Sequence, residues 1–151
     1  MKGRVVLLTL AVLFASVTVC LAANPHMGTW KLNEAKSKFA PGATKNQTVV
    51  YETAGDSVKV IVDGVDSAGT AVHNEWTGMF DNKFYPVTGD AASDMRSYRK
   101  INNHTLALTG KKGGKVSLTG RITVTANGRT RTVTTTAAGS KASNRAVYDK
   151  Q

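Results

Sequence analysis

Between Val116 and Val124 the chain alternates without interruption. Val116, Leu118, Gly120, Ile122 and Val124 fall on one side, and Ser117, Thr119, Arg121 and Thr123 on the other. A period of two belongs to a strand with one dry face and one wet face. Val58, Val60 and Val62 repeat the pattern, alternating with Ser57, Lys59 and Ile61. Turn-forming clusters punctuate these runs at Gly55-Asp56, Asp63-Gly64, Asp81-Asn82, Gly89-Asp90, Asn102-Asn103, Gly113-Gly114, Asn127-Gly128 and Gly139-Ser140. The pattern predicts strands near 28–32, 46–53, 57–63, 70–80, 83–88, 94–101, 104–110, 115–126, 129–137 and 143–149. Short strands joined by hairpins form a meander, and a meander of that length hides its edges by closing. The expected fold is therefore all-β, an antiparallel up-and-down barrel. Asn127-Gly128 has the chemistry of a type I′ hairpin. Gly120, in mid-strand, suggests a bend or bulge. One segment reads as helical, Asn33 to Phe39, with Asn33 as N-cap and Pro41-Gly42 as its end.

The first residues have a different character. Lys2 and Arg4 precede an apolar run from Val5 to Leu21, which ends in Ala22-Ala23. This is the charged, apolar, small-residue order of a secretory signal peptide. A membrane-spanning helix needs about 20 apolar residues. This run is shorter and contains Ser16 and Thr18. The expectation is a signal peptide over 1–22, a single barrel domain over 23–151, and a secreted or periplasmic location. Cys20, the only cysteine, falls inside the leader, so the mature domain would have no disulfide. Val19 before it is too branched for a lipoprotein site.

The formal charge is +10, and loss of Lys2 and Arg4 would leave +8. Such a balance favours anionic surroundings, for example an envelope surface. Lys and Arg alternate with Thr and Ser, however, as on the wet side of an antiparallel sheet. No dense basic run carries interleaved aromatics, so no specific nucleic-acid partner is expected. His26, His73 and His104 are far apart, without metal-ligand spacing, so neither a metal nor another cofactor is expected. No G-x-S-x-G marks a nucleophile. Lys111-Lys112-Gly113-Gly114-Lys115 lacks the spacing of a phosphate loop and reads as a hairpin turn. Asp63, Asp66, Asp90 and Asp94 fit turn chemistry better than calcium ligation. The expectation is a monomeric binding protein and not an enzyme.

Two short motifs bracket the domain. Gly28-Thr29-Trp30 stands on the first strand and Val147-Tyr148-Asp149-Lys150 on the last. The first resembles the Gly-x-Trp of the calycins, the group of lipocalins, fatty-acid-binding proteins and small bacterial lipocalin-like proteins. The second resembles the closing strand of the fatty-acid-binding proteins. The resemblance implies a barrel with Trp30 plugging one end, and it brings Tyr148 into the ligand-binding set. The chain departs from that pattern in two places. The Asn33–Lys45 connection has room for one short helix, not for a two-helix lid. The position two residues before Tyr148, where the fatty-acid-binding proteins place an arginine, holds Ala146, while Arg145 points to the other face of the strand.

Polar residues on apolar faces complete the reading. Asn74 shares a face with Val72, Trp76 and Gly78; Arg99 shares one with Met95, Ser97 and Ile101; Arg131 shares one with Val133. If those faces point inward, Asn74, Trp76, Arg99 and Arg131, with Tyr148, line a small-ligand site, since a few polar groups in an apolar wall is what such sites look like. The competing reading has a strand facing the other way, or an internal carboxylate pairing with an arginine. The expected function is binding of an apolar or amphipathic, lipid-like molecule, with an anionic end as one option. The alternative is an envelope-associated interaction or inhibitor module that uses the barrel's basic exterior. A void of roughly 300 Å³ or more separates the two, favouring a ligand carrier.

Overall fold

The computed structural model describes residues 23–151, so the reading of 1–22 as a signal peptide lies outside the described residues. Ten antiparallel strands close into one barrel: β1 (Gly28–Leu32), β2 (Lys45–Ala54), β3 (Ser57–Val65), β4 (Ala71–Gly78), β5 (Tyr85–Thr88), β6 (Met95–Asn102), β7 (Thr105–Lys112), β8 (Lys115–Val124), β9 (Thr130–Ala137) and β10 (Ser143–Lys150). Each strand pairs with its neighbour in sequence, and β1 closes the ring by pairing with both β2 and β10. Closure leaves no strand edge free. The helical segment reduces to a single 3₁₀ turn, Glu34–Lys36, capped as expected by the Asn33 side chain, which accepts from the Lys36 N–H. The surrounding segment continues along β10 beyond the end of β1. Asn33 N–H donates to the Val147 carbonyl, and Lys38 and Arg145 exchange backbone bonds.

Alternation places the core. Val49 and Tyr51 of β2, Val60 and Val62 of β3, Asn74 and Trp76 of β4, and Ile122 and Val124 of β8 all point inward and are buried. Two local expectations are corrected. The bulge on this side of the barrel sits between Gly110 and Lys111, not at Gly120, and it turns Val116 out to solvent. Gly120 serves close approach instead: a Cβ there would stand 2.6 Å from the Thr134 carbonyl oxygen of β9. The β8–β9 connection is also wider than a type I′ hairpin. Only Gly128 takes a left-handed φ, and Asn127 instead accepts from the Arg129 N–H and the Thr125 hydroxyl.

The two ends of the barrel differ. At one end the chain enters through His26 and Met27. Trp30 is fully buried there, its indole N–H donating to the His26 carbonyl at 3.0 Å. Phe80 stacks on Trp76, and Tyr98 meets Trp76 edge-on at 4.7 Å between ring centroids. Aromatic pairs in such geometry add to their area burial, and together they form a solid floor. The Trp30 plug implied by the calycin resemblance is in place. The opposite end carries the β1–β2 connection and the β3–β4, β5–β6, β7–β8 and β9–β10 turns, and there the interior is open.

Candidate functional site

A cavity of about 350 Å³ enters from the open end. Thr44, Asp90, Ala91 and Ala137 stand at its rim; Val60, Val62, Leu108, Ile122 and Val133 form its apolar wall. Its depth is set by strand polarity. β9 begins at the closed end, so Arg131, its second residue, lies near the floor, whereas β6 begins at the mouth, so Arg96 lies near the rim.

Arg131 is 2% exposed. Its Nη2 donates to the Tyr51 hydroxyl, and its guanidinium carbon stands 4.2 Å from the Tyr51 ring centroid and 5.8 Å from that of Trp30. Directly across the β9–β10 ladder lies Tyr148. Arg131 thus stands level with Tyr148 on the strand beside it. Burial pushes the Tyr148 hydroxyl up to about 12, against the pull of Arg131. Burial likewise raises Tyr51, again opposed by Arg131. Both phenols therefore stay neutral, and among the described residues Arg131 forms no ion pair with a carboxylate. Among the described residues, its Nε and Nη1 have no hydrogen-bond partner. Arginine keeps its charge in proteins, and an uncompensated buried charge is strongly unfavourable. The two unpartnered nitrogens leave hydrogen-bond donors facing the cavity.

Arg96 is different. Its Nη2 donates to Asp90 Oδ2 at 2.8 Å and to Asn74 Oδ1 at 3.3 Å. Both members of the Arg96–Asp90 pair are mostly buried. Asn74 thus lines the cavity as expected, but as a partner of Arg96.

Two expected site residues are corrected. Arg99 points outward and is exposed; the inward positions of β6 are Arg96 and Tyr98. Trp76 is buried in the floor, its indole N–H donating to the Arg96 carbonyl, and it does not reach the cavity wall. Arg131, Tyr148 and Asn74 are brought together in one cavity. Tyr51, Arg96 and Asp90 were not foreseen. Tyr51 carried a signal, two residues beyond Val49 on an alternating strand. Arg96 carried one too, two residues before Tyr98.

No protein-family model matches the chain, and no curated protein sequence matches it significantly. Solved structures do. A Schistosoma mansoni fatty acid binding protein in complex with arachidonic acid aligns at TM-score 0.55 and 12% identity, over 85% of this chain and 97% of that one. A fatty acid transporter, REP1-NXSQ, aligns at TM-score 0.56 and 12% identity, over 83% of this chain and 95% of that one. The fold is that of a calycin barrel. Identity this low speaks for the fold, while the site of this calycin barrel is defined by its own residues, Arg131, Tyr51, Tyr148, Arg96 and Asp90.

Proposed function

We propose that this calycin barrel binds a lipid-like molecule with an acidic end, the acid against Arg131 and the chain along the apolar wall. The observation that carries this reading is the buried guanidinium at the floor of an apolar cavity, whose Nε and Nη1 have no partner among the described residues. A guanidinium matches a carboxylate in charge and planar geometry. The neutral phenols of Tyr51 and Tyr148 add hydrogen-bonding capacity beside it without competing as anions. The cavity is within the size range of small-molecule sites, which begins at about 300 Å³. The fold neighbours support the reading: one is solved with arachidonic acid and the other is described as a fatty acid transporter.

The barrel is a carrier on this reading, not an enzyme, and works as a monomer after export under the leader proposed for residues 1–22. Its basic exterior is suited to anionic envelope surroundings. Native mass spectrometry of the protein purified from its own host tests the proposal. A retained acidic lipid, released on denaturation, is the expected result. A protein that carries none and takes up no long-chain acid when offered it would overturn the carrier reading in favour of the surface-module alternative.

A further inference from the structure

Three charged residues line the cavity, Arg131 at the floor and Arg96 and Asp90 at the mouth. The protein itself neutralises one of the two cations. We propose that Asp90 sets the charge of the ligand: by occupying Arg96 it leaves Arg131 as the one cavity cation without a carboxylate partner among the described residues, and so selects chains with one carboxylate over chains with a carboxylate at both ends. The proposal builds on the carrier reading above and adds a specificity determinant to it.

Asp90 is not a loosely held surface side chain. It follows Gly89, whose φ is +76° and whose Cβ, if it had one, would lie 2.1 Å from the His73 carbonyl oxygen. That contact seats the β5–β6 loop directly on β4. The far end of the loop is fastened through Asp94, whose N–H donates to the Lys111 carbonyl and whose Oδ2 accepts from the Gly113 N–H, both at 2.8 Å. Asp90 Oδ1 accepts from the Ala92 N–H at 2.9 Å, which leaves Oδ2 aimed at Arg96. The pair is made by the protein's own residues.

A chain whose acid is seated on Arg131 extends up the barrel, so its far end reaches the mouth. A methyl end meets Val72 and Leu118 there. A second carboxylate meets Asp90, a like charge in a poorly screened setting, and a guanidinium already engaged. Selection is therefore by repulsion at the mouth as well as by attraction at the floor.

The test compares a long-chain monocarboxylic acid with the α,ω-diacid of equal length, by calorimetric titration at a pH where both carboxyls are ionised. The proteins are the wild type, Asp90→Asn and the double variant Asp90→Asn/Arg96→Gln. Asparagine is isosteric and its Oδ1 can still accept from Ala92 N–H, so the loop should hold; Asp90→Ser, which also caps Ala92, is the second neutral variant should the first fail to fold. We expect the wild type to prefer the monoacid, Asp90→Asn to shift the ratio towards the diacid by about tenfold, the worth of one charge-assisted contact, and the double variant to lose that gain. An unchanged ratio in the neutral variants, or a gain that survives loss of Arg96, overturns the role of Asp90 while monoacid binding leaves the carrier reading standing. A wild type that binds neither acid overturns both.

Discussion

Arg131 donates to the hydroxyl of Tyr51 although the two residues stand 80 positions apart in the chain. The pair joins a buried cation to a neutral group, so the charge itself remains uncompensated within the protein. On the proposed function, that arrangement serves ligand binding at the cost of stability. Even a buried ion pair can often be replaced by apolar residues of similar size with neutral or stabilising effect, by about 1–4 kcal/mol, and a buried charge without a partner is costlier still. The lost bond to Tyr51 offsets roughly 1 kcal/mol of that. For ligand-free Arg131→Met we therefore expect a urea midpoint equal to or above that of the wild type. A clearly lower midpoint would mean that Arg131 is structural.

Trp30 is the counter-case, a residue whose role is packing. It is fully buried and tied to the His26 carbonyl. Truncation of a core aromatic costs about 3–5 kcal/mol, and Trp30→Ala should lower stability by that amount in denaturant titrations. An unchanged midpoint would show that the closed end does not depend on its plug.

His26 gives the barrel a predictable acid sensitivity. It is buried, and among the described residues both ring nitrogens are without a hydrogen-bond partner. Burial lowers its pKa from 6.5 to about 4, helped by the positive charges of Arg131, His104 and Lys100. Between those two values the unfolded chain binds more protons than the folded one, so stability rises with pH across that window. The full contribution is present above the unfolded value of 6.5 and is lost as the pH falls towards 4. The loss is on the order of 3 kcal/mol. Stability measured across this window should fall on acidification in the wild type and fall less in His26→Leu. Parallel profiles would assign the acid sensitivity to other groups.

Export is tested at the N-terminus. The order of charged, apolar and small residues up to Ala22-Ala23 places the start of the mature protein at Ala23 or Asn24. Sequencing of the exported protein should read one of these. Recovery of a chain that still begins at Met1 would rule out a cleaved leader.

All ten strands and their closure were legible in the sequence because alternation and turn chemistry are local signals. The structure moves most strand ends by a residue or two, lengthening β2 and β3 and shortening β4, β5 and β8, and it shortens the helical segment to one turn. The site was legible only in part, and the reason lies in β6. Met95, Ser97 and Ile101 make the Arg99 face look apolar, yet Arg96 and Tyr98 are the residues that point inward. A shift of one residue exchanges the two faces of a strand, and what settles the face here is tertiary: the loop that delivers Asp90 to Arg96 and the floor that receives Tyr98. Trp76 was placed on the correct face, but position along the barrel axis decides between floor and cavity, and alternation carries no information about that axis. Arg131 was legible because Val133 shares its face; its partner Tyr51 was not, since the contact joins distant strands.

The central claim is that Arg131 holds the acidic end of a lipid-like ligand. The most direct measurement titrates a long-chain fatty acid and the corresponding primary alcohol into wild type and Arg131→Met. The alcohol keeps the chain and removes the charge, so the ratio of the two affinities isolates the contact at the floor. We expect saturable binding of one molecule per barrel, a wild-type preference for the acid of about tenfold or more, and loss of that preference in Arg131→Met with alcohol binding retained. An equal preference in both proteins, or no saturable binding of the acid, would contradict the assignment of Arg131 as the ligand's partner.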